Sequence, residues 1–225
     1  VPMSLPIPFT LTVHDMRSIE EARTSRLSRA VAHRVHRSAV ERAACVITVS
    51  DTIAADVIRH FGIEPARIRV VPNAADHVEV LPRDVKQDAP ILHVGHVERH
   101  KNLELLIRAI AVDPNLPPLT LAGAPKGNEE NRLMKLAAEL GVDRRVRFLG
   151  RFDDRELPTL YAQAACVALP STIEGFGIVA LEAQRAGVPL CVSGVGALTE
   201  VAGSHVPHFT SDNPVDCARA IQAAL

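Results

Sequence analysis

The chain has 225 residues, enough for one large domain or two modest ones, and 47% of them are hydrophobic, which suffices for a buried core. Its 25 basic and 26 acidic residues give a formal net charge of −1, so no overall positive field favours nucleic acid. Six Phe, one Tyr and no Trp argue against an aromatic platform for single-stranded nucleic acid.

Short β-rich runs alternate with helical patterns on both sides of a proline-rich segment. The predicted elements before that segment are a strand at 9–13, a basic helix at 25–44, a strand at 45–50, a helix at 51–62 that Gly62 stops, and a strand at 68–71. Residues 72–90 hold three prolines, many charges and no sustained periodicity, which is typical of a domain boundary. We therefore expect domains at 1–72 and 90–225, joined by a linker at 73–89.

The alternation resumes after the linker. The predicted elements there are strand 91–95, a helix from Leu103, strand 119–123, helix 131–141, strand 146–150, helix 153–165, strand 166–171, helix 178–187, strand 189–194, helix 198–203 and a helix from Pro214. Strands separated by helices indicate right-handed crossovers and a parallel sheet covered on both faces. The predicted fold class is α/β, with two Rossmann-like parallel-sheet domains, the first of them incomplete.

Neither end of the chain has the signals of a complete domain. The chain starts with Val and runs directly into a strand, and it stops within the helical pattern ARAIQAAL without a cap. We therefore expect a fragment, with the second domain truncated at its end. The four cysteines form no CxxC pair, and three of them lie in apolar runs. Reduced thiols and a cytoplasmic protein are the expectation.

The run ILHVGHVERHKN spaces three histidines as H-x-x-H-x-x-x-H, at His93, His96 and His100. A zinc site needs ligands on one face of a helix or hairpin. His93 instead falls inside a predicted strand, and the other two histidines fall in the turn after it. Glu98 is the only carboxylate in the run that could complete such a set. Because a strand and the turn after it do not place the three histidines on one face, we predict no metal here.

A turn after a parallel strand is where open α/β sheets bind ligands. Gly95 ends the strand, His96 follows it, and Lys101 enters the next helix, where an ammonium group meets a phosphate held by the loop. Taken alone, Lys101 is more simply explained as a solvated lysine. A second strand, turn and helix later in the chain favours the ligand interpretation.

That second turn lies in LPSTIEGFGIVALEAQRAGVP, at 169–189. Gly175 and Gly177 leave amide groups uncovered at a helix N-terminus, which favours an anion. Glu174 comes just before these glycines and Glu182 comes eight residues after Glu174. Carboxylates at these positions favour hydroxyl groups on either side of the anion. A negative centre flanked by two polyols describes a nucleoside diphosphate sugar.

These motifs resemble those of the retaining glycosyltransferases of family 4, which have the GT-B fold. The resemblance rests on VGHVERHKNLELLIRAI, on the segment from RFLGRF to TEVAG, on TVHD, and on the segment from ERAAC to PNAAD, which together cover most of residues 9–210. It implies sugar transfer from a nucleotide-diphosphate sugar to an acceptor hydroxyl with retention, without a metal or other cofactor. It also implies an acceptor-side domain at 1–72 and a donor-binding domain at 90–225.

The resemblance implies roles for individual residues. Glu174 contacts the donor-sugar hydroxyls, His14 faces the sugar and acceptor, and Lys101 neutralises the departing β-phosphate; these three are the implied catalytic residues. Glu182 grips the ribose hydroxyls. Many family members have Arg at the place of His96, and a histidine is only partly charged near neutral pH. The implied donor-binding residues are Gly95, His96, Lys101, Glu174, Gly175, Phe176, Gly177, Ile178 and Glu182.

The implied partners are a nucleotide sugar and a glycan or lipid-linked acceptor, and GHVERHKN favours GDP-mannose over UDP-sugars, as in mannosyltransferase-like members of polysaccharide biosynthesis. Six arginines between residues 23 and 42 suggest peripheral contact with the inner face of a membrane, although a solvated basic face is the simpler explanation. A non-catalytic nucleotide-sugar binding domain and a GT-B epimerase relative remain open alternatives. A Rossmann dehydrogenase is disfavoured because SGVGALTE lacks the full fingerprint.

Overall fold

The computed structural model of the chain describes residues 7–20 and 25–225. The chain divides into two compact units, Val1–Asn73 with Ile173–Phe176, and Ala74–Thr172 with Gly177–Leu225. Each unit contains a parallel β-sheet and helices that connect its strands. The predicted fold class, α/β with two Rossmann-like sheets, is confirmed.

The first unit is built on a three-stranded parallel sheet in the order β1-β2-β3. Ser50 caps the third helix by accepting a 3.1 Å hydrogen bond from the Ile53 amide, and Gly62 ends that helix in the left-handed conformation, as predicted. The elements of this unit are β1 (Thr10–Val13), α1 (Arg17–Glu20), α2 (Arg26–Arg42), β2 (Cys45–Thr48), α3 (Asp51–Phe61) and β3 (Ile68–Val70).

The second unit is built on a six-stranded parallel sheet in the order β6-β5-β4-β7-β8-β9. Its central strands β4, β5, β7 and β8 are buried along their whole length, as expected for a sheet covered on both faces. The elements are β4 (Ile91–Val94), α4 (Leu103–Val112), β5 (Leu119–Ala122), α5 (Glu129–Glu139), β6 (Val146–Gly150), α6 (Leu157–Gln163), β7 (Cys166–Leu169), α7 (Ile178–Arg185), β8 (Leu190–Ser193), α8 (Gly196–Ala202), β9 (His208–Phe209) and α9 (Pro214–Ala224).

The apolar stripe that predicts α4 forms part of the core of the second unit. Leu103, Leu106, Ile107 and Ile110 are each at most 1% exposed, and they share one core cluster with Ile221 of α9. Burial of a side chain of this size contributes about 1.5–3 kcal/mol. Helix packing of this kind holds the turn between β4 and α4 in place.

Of the predicted linker at 73–89, residues 74–89 belong to the second unit and Asn73 to the first. Val78 is buried in the same cluster as Tyr161, and Arg83 donates hydrogen bonds to the carbonyl oxygens of Tyr161 and Ala164 at 2.5 and 2.6 Å. Individual residues such as Val78 and Arg83 anchor this segment, and because no regular helix or strand forms, the sequence shows no periodicity here.

The two-residue strand β9 was not predicted from the sequence, because it is too short to show a period.

The four cysteines are free thiols, and all except Cys45 are buried. Burial raises the pKa of the Cys166 and Cys217 thiols to about 12, so both stay protonated at neutral pH. Among the described residues, no helix combines the length and the apolar character needed to cross a membrane.

Candidate functional site

Two strand-to-helix connections leave the same edge of the sheet in the second unit. β4 and β7 are adjacent and parallel, with Ile91 opposite Cys166 and Leu92 opposite Val167. The connection after β4 leads to α4, and the connection after β7 leads to α7. The order of strands along the chain reverses between β4 and β7. Open α/β sheets bind their ligands outside the carboxyl ends of the strands at such a reversal.

The turn after β4 is held against the turn after β5 by close backbone packing. The amide of Gly95 donates to the carbonyl of Ala122 at 2.9 Å. Gly123 lies so close that a Cβ atom at this position would overlap the carbonyl oxygen of Gly95. Gly123 carries no distinctive signal in the sequence, since one glycine after a strand is common. Its packing sets the path of the loop that carries His96 and Lys101.

The three histidines of the 91–102 run lie in different surroundings. His93 is buried in β4 with its Nδ1 3.2 Å from the carbonyl oxygen of Ala168, whereas His96 is exposed on the turn. His100 is buried, and its Nε2 lies 3.7 Å from a carboxylate oxygen of Glu98. A strand and its turn do not bring these spacings to one face. Within residues 7–20 and 25–225, no group of three His, Cys, Asp or Glu side chains is arranged to hold a metal ion.

Gly95, His96 and Lys101, three of the predicted donor-binding residues, lie together on the turn after β4. Lys101 ends a short 3-10 helix, Arg99–Lys101, and is half-buried. The Cε atom of Lys101 lies 4.0 Å from the position that a Cβ atom on Gly95 would take, just after the carboxyl end of β4. Burial, and as a second cause the positive charge of Lys101, lower the pKa of His93 to about 3.

The second half of the site is the start of α7. This helix begins at Ile178, directly after Gly177, which has no side chain to cover the first amide groups. Free N–H groups and the helix dipole make such an end favourable for an anion. Glu182 lies one turn further along α7 and is only 6% exposed.

Both carboxylate oxygens of Glu182 have hydrogen-bond partners in the second unit. The hydroxyl of Tyr161 donates to Oε2 at 2.7 Å, and Nε2 of His77 lies 2.8 Å from Oε1. Burial and the charge of Glu182 raise the pKa of Tyr161, so its hydroxyl keeps the proton. Each carboxylate oxygen has a second lone pair, so Glu182 retains the capacity to accept from a ligand.

Neither hydrogen-bond partner of Glu182 was predicted from the sequence. Tyr161 lies 21 residues and His77 105 residues from Glu182 along the chain. Tyr161 falls inside the segment from RFLGRF to TEVAG, but no role was predicted for it, and His77 lies just outside the segment that ends in PNAAD. One signal was available, since Tyr161 is the only tyrosine of the chain and stands in a largely apolar helical run. The segment around His77 is held against α7 by Arg185, whose Nε donates to the carbonyl of Val78 at 3.0 Å.

Residues Ile173–Phe176, in the connection between β7 and α7, belong to the first unit. A Cβ atom at Gly175 would overlap the carbonyl oxygen of His14, and Ser50 Oγ donates to the carbonyl of Gly175 at 3.1 Å. A close backbone approach thus requires glycine at 175, independently of any anion. His14 is exposed just after β1, Glu174 is half-buried and Phe176 is buried. The first unit thereby brings the backbones of His14 and Gly175 together.

Two family models match the chain over most of its length. Residues 82–225 match the model described as Glycosyl transferases group 1, and residues 2–79 match Glycosyltransferase Family 4. The chain belongs to the group 1 glycosyltransferases. The first of these matches covers the second unit from residue 82 onward, including the turn after β4 and the whole of α7.

Curated relatives of this group 1 glycosyltransferase include D-inositol 3-phosphate glycosyltransferases. The one from Salinispora tropica is 34% identical over 209 residues, which cover 80% of this chain and 43% of the relative. The one from Mycobacterium tuberculosis strain CDC 1551 is 34% identical over 172 residues, covering 71% and 36%. The chain therefore spans less than half the length of these relatives.

Solved structures resemble the chain along nearly its whole length. A sucrose-phosphate synthase from Thermosynechococcus elongatus superposes with a TM-score of 0.81 at 26% identity, covering 95% of this chain and 57% of the other. Anabaena HepE, solved in complex with UDP-glucose, has a TM-score of 0.80 at 23% identity, covering 96% and 62%. These likenesses confirm the predicted GT-B fold class of this group 1 glycosyltransferase.

Proposed function

We propose that the protein is a retaining glycosyltransferase that moves a sugar from a nucleotide-diphosphate sugar to an acceptor hydroxyl. The observation that carries the proposal is the buried, doubly hydrogen-bonded Glu182 on α7, which follows the strand next to the one that leads to Lys101. A fixed carboxylate suits ribose hydroxyls, and a lysine with uncovered helix amides suits a diphosphate. Membership of the group 1 glycosyltransferases supports the same reaction class.

In this proposal the diphosphate binds at the amides from Gly175 to Ile178 and near the side chains of His96 and Lys101. Negative charge builds on the β-phosphate as the bond to the sugar breaks. A fixed ammonium group therefore stabilises the transition state more than the bound substrate, which accelerates the reaction. Glu182 holds the ribose and so fixes where the diphosphate lies.

The proposed catalytic residues near the sugar are Glu174 and His14. Glu174 contacts sugar hydroxyls and stabilises the positive charge that develops at the anomeric carbon. Retention follows if the acceptor oxygen attacks from the face that the phosphate leaves, with the acceptor proton passing to the departing phosphate oxygen. No step of this scheme requires a metal or another cofactor, and that absence stays a prediction.

The proposed donor is a nucleotide sugar, and its base and its sugar are the finer parts of the proposal. HepE was solved with UDP-glucose, which supports a nucleotide sugar as the class of donor. The preference for GDP-mannose over UDP-sugars stays a prediction from GHVERHKN. A glycan or lipid-linked acceptor is proposed for the same enzyme.

We also propose that α2 contacts the surface of an anionic membrane. Leu27, Val31 and Val35 are spaced four residues apart on this helix, and their exposed fractions are 76%, 55% and 38%. α2 contains five arginines and one glutamate, so it carries a formal charge of +4 with its histidines neutral, while the whole chain has −1. An apolar stripe bordered by arginines is typical of a helix that lies in a lipid headgroup layer.

Calorimetric titration of the complete protein with UDP, GDP and ADP tests the donor site. We expect one nucleotide to bind and Glu182→Ala to weaken it by roughly tenfold or more, since a hydrogen bond to a charged group contributes about 1.5–3 kcal/mol. Glu139→Gln, a change to an exposed carboxylate on α5, is the control and should leave affinity unchanged. Failure of all three nucleotides to bind, or an unchanged affinity in Glu182→Ala, would contradict the proposal.

A sugar-transfer assay on the same protein separates the enzyme from the alternative of a non-catalytic binding domain. Nucleotide binding together with transfer to an acceptor supports the enzyme. Binding of a nucleotide sugar without transfer, across a panel of glycan and lipid-linked acceptors, favours the binding domain.

A further inference from the structure

His93 has an unusual environment for a buried polar residue. Its side chain is 1% exposed in the middle of the central strand β4. Nδ1 lies 3.2 Å from the carbonyl oxygen of Ala168 on the neighbouring strand β7, yet Nε2 has no hydrogen-bond partner. Among the residues that the structure describes, Nε2 of His93 is the one buried side-chain nitrogen or oxygen atom without a hydrogen-bond partner. Since buried polar atoms nearly always have partners, an unsatisfied one needs an explanation.

The unpaired nitrogen borders a small space that Gly95 leaves open. A Cβ atom placed on Gly95 would lie 3.6 Å from Nε2 of His93 and 4.0 Å from Cε of Lys101. The two side chains therefore approach the same point from different elements, one from the strand and one from the turn after it. Both lie at the reversal of strand order between β4 and β7.

The hydrogen bond at Nδ1 determines which of the two ring nitrogens carries the proton. A carbonyl oxygen only accepts, so Nδ1 must be the protonated nitrogen, and Nε2 then presents a lone pair. Burial and the nearby charge of Lys101 keep the ring neutral, with the pKa of His93 at about 3. At neutral pH, Nε2 is therefore an acceptor, and the donor it lacks is an N–H or O–H group.

A neutral acceptor suits a lysine that must bind phosphate. A carboxylate beside Lys101 would hold the ammonium group but would also cancel its charge. An imidazole lone pair accepts one of the three ammonium protons and leaves the charge and two protons for an anion. The ligand and the ring thereby fix the same ammonium group from two sides.

We propose that His93 is a positioning residue for Lys101, with Nε2 accepting a hydrogen bond from the lysine ammonium group when that group engages the diphosphate of the donor. This inference rests on the proposed function, because it takes the phosphate role of Lys101 as given. It assigns a role to a strand residue outside the motifs on which that function is based.

A double-mutant cycle in the complete protein tests the proposal. The nucleoside diphosphate that binds among UDP, GDP and ADP is titrated into wild type, His93→Phe, Lys101→Ala and the double variant. We expect His93→Phe to weaken binding by about tenfold in the presence of Lys101 and by less than about twofold in its absence, because coupled residues show non-additive effects. His93→Gln, which keeps an acceptor, should restore most of the affinity.

The outcomes separate this inference from the proposed function. If Lys101→Ala leaves affinity unchanged, the phosphate role of Lys101 fails and the inference fails with it. If Lys101→Ala weakens binding but His93→Phe costs the same in both backgrounds, the inference alone is overturned and His93 is structural.

A measurement on the wild-type protein covers the case in which His93→Phe does not fold. The ¹⁵N resonances of the His93 ring report its tautomer and the hydrogen bond at Nε2. We expect a neutral ring protonated at Nδ1, with an Nε2 resonance that shifts when the nucleoside diphosphate is added. A ring protonated at Nε2, or an Nε2 resonance that does not move, would overturn the proposal.

Discussion

The hydroxyl group of Tyr161 donates a 2.7 Å hydrogen bond to Oε2 of Glu182, and both side chains are buried within the second unit. A hydrogen bond to an ionised acceptor is stronger than a neutral one. His77 lies on the other oxygen at 2.8 Å, so the carboxylate is held at two points before any ligand arrives. Such preorganisation reduces the entropy that binding has to overcome.

Replacing Tyr161 with Phe removes the buried donor while keeping the ring. We expect the free energy of unfolding to fall by about 1–3 kcal/mol, since the buried carboxylate loses a partner. Nucleoside diphosphate affinity should fall with it, because Glu182 is less well fixed. Urea denaturation and calorimetric titration measure the two effects. His77→Ala is the comparison: His77 is largely exposed, so its loss should cost less stability. Equal losses of stability in the two variants would contradict this account.

Replacing Glu174 with Gln should separate catalysis from binding. The carboxylate is proposed to act on the donor sugar, so transfer should fall by at least about a hundredfold, an effect typical of losing one electrostatic contact in a transition state. Nucleoside diphosphate affinity should stay within about twofold of wild type. Transfer assays and calorimetry give both numbers, and thermal unfolding checks that the variant is folded. Strongly reduced nucleotide binding would assign Glu174 to the nucleotide instead of the sugar.

The stability of the second unit should fall in acid because of His93. The folded-state pKa is about 3, whereas an unfolded histidine titrates near about 6.5. The unfolded chain therefore binds a proton between these values that the folded chain does not. Stability from this residue is complete above about pH 6.5 and is lost as the pH falls toward 3, by about 1.4 kcal/mol per pH unit.

Urea unfolding at pH 7, 6 and 5 tests this prediction, with wild type compared with His93→Phe. The variant lacks the titrating group, so its stability should decline less steeply with falling pH. His205→Gln changes an exposed histidine and serves as the control. Parallel pH profiles for wild type and His93→Phe would mean that the buried ring takes up a proton in the folded state.

Replacing Gly123 with Ala should damage both fold and site. The new Cβ atom would overlap the carbonyl oxygen of Gly95, so backbone must move, at a cost of about 3 kcal/mol or more. Gly141→Ala is the matched control: it also has positive φ, but nothing lies within 4 Å of its added Cβ. That change should cost only the left-handed strain of about 1–2 kcal/mol. Equal destabilisation, measured in urea, would mean that close packing at Gly123 is unimportant.

Membrane contact through α2 is tested by flotation of the complete protein with lipid vesicles. We expect binding to vesicles that contain phosphatidylglycerol, little binding to pure phosphatidylcholine, and release by salt, because arginine charges attract anionic headgroups. Leu27→Ser with Val31→Ser should weaken the binding. Met134→Ser, on α5 in the second unit, removes an apolar side chain that is 50% exposed and is the control. Binding that depends neither on lipid charge nor on α2 would exclude this surface.

Local sequence predicted most of the secondary structure, because helix and strand periods and end signals are properties of neighbouring residues. The stripe from Leu103 to Ile110 predicted α4, and Gly62 marked the end of α3 in the left-handed conformation. The alternation of strands and helices was sufficient to predict parallel sheets, since neighbouring parallel strands must be joined by crossover connections. The two glutamates, the loop glycines and Lys101 were identified in the same way, as local patterns at the ends of strands.

Only the tertiary structure showed what holds those residues. Tyr161 and His77 reach Glu182 because α6 and the segment before β4 pack against α7, and no local pattern encodes that packing. The unsatisfied Nε2 of His93 likewise depends on what surrounds the strand after folding. Sequence periodicity identifies which side of an element is buried, whereas the particular partners on that side follow from contacts between residues far apart in the chain.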